Sequence, residues 1–293
     1  MAEKSFHFFN TLLGPAVTAT GQHIISTAIL GFEALVASNF FFDNFDELLD
    51  YINNIVKEEN QYPSLDLNKS TDDVYKFLTS KCNFKISDNT ESVIKSILNN
   101  LPYEKLELLY TKNNLVDLIH TIEFKTLLKP LLREDYLDSL TVPTDLKDDY
   151  EIFLEFAKYY TFYPYAYHNK IKKATTMRRK AILLSDTDST FITLDSYVKY
   201  IQKEFYNGRE LTDKENINAI SAINAILTEF IKHAFWHMTK NAKVLEDDRP
   251  LVNMKNEYIL KRVVLTRNKK NYASYVISQE GKVFEKPKLD VKG

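Results

Sequence analysis

Up to about residue 167 the apolar residues of this chain recur at helical spacing; beyond Lys173 they gather in short runs between polar turns. This switch of period constrains the fold more than any single motif does, because a 3.6-residue repeat and a two-residue repeat place side chains on incompatible surfaces. The order it implies is a long helix, a series of short helices, a hairpin, two more helices and further strands. That order predicts an α+β chain: an antiparallel sheet backed by helices and interrupted by an all-α insertion.

The helical part opens with "GPAVTATGQHIISTAILGFEALVASNFF", which predicts one helix from Ala16 to Ser38, with Pro15 suited to the first turn. Short helical patterns follow, among them "DNFDELLDYINNIVKEE", "STDDVYKFLTSK" with Ser70 or Thr71 as N-cap, and "TDLKDDYEIFLEFAKYY". The Tyr- and Phe-rich "YYTFYPYAYHNKIKK" reads as an irregular return. Then "KAILL", "SDTD" and "STFITL" form a run, a turn and a second run, a β-hairpin whose apolar runs are expected to bury both strands. Asp195 is expected to cap a helix stopped at Gly208, and Thr212 with Glu215 forms a capping box for a helix through about Asn241. "EYILKRVVLTR" and "NYASYVI", joined by "NKK", predict two strands, and "SQEG" a turn into "KVFEKPKLDVKG".

Composition narrows the chemistry. The 38 Lys and Arg residues against 40 Asp and Glu give a net charge of −2, so any contact with nucleic acid must come from a local basic patch. Six glycines exclude the glycine-rich phosphate loops, and the single cysteine, Cys82, excludes a disulfide framework or a cysteine-based zinc site. Its thiol fits a reducing, intracellular compartment. No apolar run approaches the ~20 residues of a membrane span, and the N-terminus lacks the build of a signal peptide.

Asp186 and Asp188 stand one residue apart in the hairpin turn, with no basic residue inside it. Two such carboxylates form a hard-oxygen site for Mg²⁺ or Mn²⁺ if the strands hold them rigidly, and an ordinary solvated turn if not. His233 and His237 are four apart on one helix, but with no third ligand evident they read as a packed or surface face. The basic run "KIKKATTMRRK" reads either as the lining of a DNA-facing groove or as a solvated loop.

The D-x-D pattern, taken with its neighbours, resembles the palm of family B DNA polymerases. "DTDS" is that family's hairpin motif; "FHFFNTLLGPAVTATGQHII", with Ala16, Thr18, Gly21 and Gln22, resembles its segment after the fingers helix. "NMKNEYILKRVVLTRNKKNYASYV" resembles the M-x-x-E strand and K-K-x-Y motif, here Met254, Glu257, Lys269, Lys270 and Tyr272. The closing "EKPKLDVKG" resembles the strand leading into the thumb. The resemblance implies two-metal nucleotidyl transfer with Mg²⁺ or Mn²⁺. Asp188 would be the principal metal ligand with Asp186 beside it, Glu257 a supporting carboxylate on a neighbouring strand, and Lys269, Lys270 and Tyr272 contacts to primer–template DNA. It divides the chain into a palm segment at 1–42, a helical insertion at 43–175 and the palm proper at 176–293.

Departures from that family are equally informative. Leu184 and Ser185 replace its Tyr-Gly, and neither its upstream palm aspartate nor its triphosphate-binding fingers lysine has a counterpart. The resemblance therefore implies a split polymerase, inactive alone. A companion chain would bring exonuclease, fingers, dNTP contacts and the first palm aspartate, and a further chain or segment the thumb, as expected of a large phage or virus replicating inside its host's cytoplasm. The insertion would dock the companion, hold DNA or bind a processivity factor, and its mixed charge favours protein. Two other readings stay open: a phosphatase of the haloacid-dehalogenase type, with D-x-D-x-T at Asp186 and Asp188 and "KVLEDDRP" (Asp247, Asp248) as an imperfect second acidic pair, and a non-catalytic scaffold. Glycosyltransferases that use D-x-D are a weaker match.

Overall fold

The computed structural model describes residues 13–39, 42–57, 70–111, 115–133, 144–157, 173–186, 189–268 and 270–293. Helix α1 runs over Leu13–Ala37, and α2 to α5 over Phe45–Lys57, Thr71–Thr79, Asp88–Asn99 and Tyr103–Thr111. Then come α6 at Leu115–Leu118, α7 at Ile122–Leu131, α8 at Lys147–Ala157 and the single turn α9 at Lys173–Thr176. The hairpin is β1, Ile182–Asp186, with β2, Ser189–Ile192; α10 covers Asp195–Phe205 and α11 Asp213–Asn241. Strands β3, β4 and β5 at Tyr258–Leu265, Tyr272–Gln279 and Lys282–Lys292 complete the α+β chain. The return at 158–172 lies outside the described residues.

The local signals act where they are strongest. Thr212 accepts from the Glu215 amide while the Glu215 carboxylate accepts from Thr212, and α11 starts there. Arg209 and that same capping bond hold the Glu215 carboxyl down at about 2. Ser70 and Asp73 build a second capping box on α3. Asp195, by contrast, does not cap α10: Leu194 occupies the cap position without a side-chain bond, and Asp195 instead lies 2.6 Å from Lys199 one turn on. The chain leaves α10 through Asn207 and Gly208, both at positive φ, with the Gly208 amide bonded to Gln202 O at 2.9 Å.

Two large cores form. Phe42, α2 and α3 to α5 bury Leu48, Ile52, Val74, Leu78, Ile94 and Leu98 among themselves. The larger core joins α1 and α11 with α6 to α10 and β1, so the helices of 43–175 are shared between two cores. The axis of the larger core is the crossing of α1 with α11. There a Cβ on Gly31 would stand 3.3 Å from Ile231 Cδ1, so glycine lets the helices approach closely.

The strands form two sheets instead of one. β1 pairs antiparallel with β2, while β3, β4 and β5 make a separate antiparallel meander. The β4–β5 turn puts Glu280 and Gly281 at positive φ, as a two-residue hairpin connection with right-handed strand twist requires. Ile259 and Ile277 pack on Ile217, seating the meander on the first turns of α11.

Candidate active site

The first hairpin is anchored from beneath by a buried carboxylate. Glu33 on α1 is fully buried, and its two oxygens accept the amides of Lys180 at 3.1 and 2.9 Å, Ala181 at 2.9 Å and Ile182 at 2.7 Å. Three successive amides aimed at one anion form a backbone nest, closed here by the Asn39 amide group, which also donates to Arg178 O at 3.0 Å. Helix α10 adds a second tie through Tyr197, whose hydroxyl donates to Val36 O. No sequence pattern announces Glu33, because it sits in an apolar helical run and its partners lie far along the chain. The strands themselves are less buried than their composition predicts. Ile182 is enclosed, but Leu183 is 44% exposed and β2 is only half-buried.

At the open end of this hairpin, Asp186 pairs with Ser189 across the ladder and its side chain is 45% exposed. Thr187 and Asp188 lie outside the described residues, so Asp188 is placed only by its two-residue separation from Asp186. The tip of the β3–β4 hairpin reaches the same point. Thr266 and Asn271 close that turn, the Thr266 amide donating to Asn271 O at 3.1 Å, and Lys270 takes a left-handed φ of 66° within it. Lys270 Nζ thereby comes to 3.4 Å from Asp186 Oδ2. Next to it, the Tyr272 ring meets Phe191 of β2 edge-on at 5.2 Å. Burial raises the Tyr272 phenol above its ordinary value, with smaller contributions from the charges of Asp290, Tyr258 and Asp186. Lys269 lies outside the described residues.

Glu257 is not brought to this point. It precedes β3, and its carbonyl accepts the Glu280 amide at 2.7 Å, at the end of the meander where β4 turns into β5. Tyr272 pairs with Leu265 at the opposite end. Eight residues at roughly 3.3 Å each separate the two ends by about 25 Å. The expected supporting role of Glu257 at the Asp186 site does not fit that register. Asp247 and Asp248, the second acidic pair a dehalogenase-type phosphatase needs after a strand, fall in a 3₁₀ turn at Glu246–Leu251 behind α11.

The donor chemistry at the hairpin suits Mg²⁺ or Mn²⁺ in part. Asp186 offers an accessible hard-oxygen carboxylate, and Asp188 follows two residues on in the sequence. Among the described residues no three metal-ligating side chains cluster anywhere. Two carboxylates fill only part of an octahedral shell, so further ligands must come from elsewhere.

The local basic patch that the overall charge demands lies on the meander. Residues 255–293 carry ten Lys and Arg against four Asp and Glu, a net +6 in a chain that totals −2. Among the described residues no helix is long and apolar enough to cross a membrane.

The chain was compared with known proteins. No curated protein and no solved structure matches it. The family model described as divergent family B DNA polymerase matches residues 148–293, a stretch that holds both hairpins, α10, α11 and the basic meander. Through this C-terminal half, the chain belongs to the divergent family B DNA polymerases.

Proposed function

We propose that α1 and residues 176–293 form the hairpin portion of a polymerase palm working in DNA replication, and that 43–175 is an insertion that docks a protein partner. The observation that carries this reading is the convergence of Lys270 and Tyr272, from a basic meander, on the Asp186 hairpin. Asp188 is the principal metal ligand in this proposal and Asp186 its accessory. A Mg²⁺ or Mn²⁺ ion bound there would neutralise charge on an incoming triphosphate and favour ionisation of the primer 3′-hydroxyl.

The chain's own residues bind and orient. Lys270 exchanges its ion pair with Asp186 for a duplex phosphate, a cheap exchange because both side chains are solvated. Lys269 adds a second phosphate contact. Tyr272, its phenol kept neutral at physiological pH, donates a hydrogen bond at the duplex edge. None of these 293 residues matches the family's first palm aspartate or its fingers lysine, so those groups come from outside this stretch, in our proposal from a companion polypeptide, and this stretch alone is expected not to extend a primer.

The test is primer extension by the purified chain, by its companion and by the mixture. Only the mixture is expected to extend, and Asp188→Ala is expected to abolish that extension. Undiminished extension by the Asp188→Ala mixture overturns the assignment.

A further inference from the structure

Two cavities open along α11 and share Lys232 and Asn253 in their walls. The larger, about 580 Å³, lies between α11, the end of α8 and the turn after α11. That volume lies within the roughly 300–1,000 Å³ usual for small-molecule sites. Leu154, Phe230, Pro250 and Val252 make its apolar walls, and Trp236, 37% exposed, stands in it. Cations lie over that indole, the Arg249 guanidinium 5.6 Å and the Lys240 ammonium 5.0 Å from the ring centroid, and the His233 ring stacks on it at 6.3 Å. The smaller cavity, about 220 Å³, lies between α11 and the meander and is less apolar, although Ala225, Met254 and Ile259 share its wall. Ser221, Asn224, Thr228, Asn256 and Ser278 line it with hydroxyl and amide groups, and Lys255 adds a charge. Among the described residues its wall holds no carboxylate.

A part-exposed indole whose face now holds cations on flexible side chains favours a flat π-system that can displace them. Hydroxyl, amide and ammonium groups on a wall without carboxylates favour an oxyanion, which would take the place of the Glu280 carboxylate now 3.1 Å from Lys255 Nζ in an exposed and therefore weak pair. One ligand chemistry carries both groups a few ångströms apart. We propose that the adjoining cavities bind a nucleotide unit, with the base in the Trp236 chamber and the phosphate beside Lys255. Lys232 stands on the shared wall; its ion pair with Glu229, 2.6 Å long and solvent-exposed, is weak enough to be given up for the ligand. The unit belongs either to a free nucleotide or to an unpaired single strand. None of Asp186, Lys270 and Tyr272 lines either cavity, so this site goes beyond the proposed palm chemistry and does not depend on it.

Trp236 is the only tryptophan in the chain, so its emission reports on this site alone. The purified full chain is titrated, without divalent metal, with dAMP, with a twelve-residue oligo(dT) and with inorganic phosphate. Saturable quenching by both dAMP and the oligonucleotide assigns a free-nucleotide site; quenching by the oligonucleotide alone assigns a single-strand site. Lys255→Glu, a change at an exposed position, is expected to weaken the response about tenfold, the scale of one lost charged hydrogen bond. Asn224→Leu weakens it too, while Asp186→Ala and Lys270→Ala leave it unchanged. Absence of quenching by both nucleic-acid probes, an equal response to inorganic phosphate, or affinity undiminished in Lys255→Glu and Asn224→Leu overturns the proposal.

Discussion

Lys270 Nζ lies 3.4 Å from Asp186 Oδ2, joining the tips of two hairpins that belong to different sheets. The pair is solvated on both sides, so its contribution to stability is small. Its consequence is positional: an ammonium is held beside the Asp186 carboxylate, where the proposed function puts a duplex backbone.

Lys270→Ala should therefore leave folding almost untouched, within about 0.5 kcal/mol in urea unfolding. Duplex binding should respond differently. Loss of one phosphate contact lowers the slope of log K against log salt by about 0.9, equally for all sequences. Fluorescence anisotropy over roughly 50–200 mM salt measures that slope. An unchanged slope would mean that Lys270 stays with Asp186 and touches no phosphate.

Glu33 makes the opposite prediction, with a large stability effect and no exposed surface. Replacing it by alanine strands two buried amides and a part-buried one, at about 1–3 kcal/mol for each buried donor, so a loss of roughly 3–5 kcal/mol is expected. Glu33→Gln should cost less, since one oxygen still accepts while its amide group opposes the backbone donors. Amide exchange at Ala181 and Ile182 should accelerate before the rest of the larger core. A Glu33→Ala chain with the wild-type urea midpoint would show that the nest does not hold β1.

These residues also show what the sequence could disclose. The capping box at Thr212 and Glu215, the span of α11, the first hairpin and the β3–β4 pair were legible because each is set within a few residues. Glu33 was not, since its partners are decided by how α1 crosses β1. Asp195 carried a valid cap signal, but Leu194 took the cap position and left the aspartate to its i+4 lysine. Glu257 stands where the resemblance to family B polymerases puts a supporting carboxylate. Only the strand register shows that it lies a full strand length from Tyr272. Two cores within the helical stretch were likewise invisible, because helical periodicity says which face is buried and not against what.

At the α1–α11 crossing, a Cβ on Gly31 would stand 3.3 Å from Ile231 Cδ1, slightly closer than ordinary contact. Gly31→Ala should be close to neutral, because the gain of about 1 kcal/mol in helix propensity offsets a small shift of the flexible Ile231 end. Gly31→Leu has no such compensation and should cost about 1–3 kcal/mol or more through overpacking. Thermal unfolding of the two variants separates these cases. Equal stability of the leucine variant and wild type would mean that the helices are not in close contact there.

Cys82 offers a test of the smaller core that needs no partner. Burial pushes its thiol up to about 11, from an ordinary value of 9.0. Only the thiolate reacts with alkylating agents, so the folded chain at pH 8 should be alkylated about a hundredfold more slowly than the urea-unfolded chain. The folded rate should keep rising tenfold per pH unit to about pH 11, whereas the unfolded rate levels off near pH 9. The sign for stability follows from the same shift. The folded state holds this proton more tightly, so the contribution is complete below about pH 9 and is lost as pH rises through about 11. Mass-spectrometric counting of alkylated chains gives both rates directly. A folded rate that levels off at pH 9 would show Cys82 to be solvated, and the packing of Phe42 and α2 to α5 around it to be looser than described.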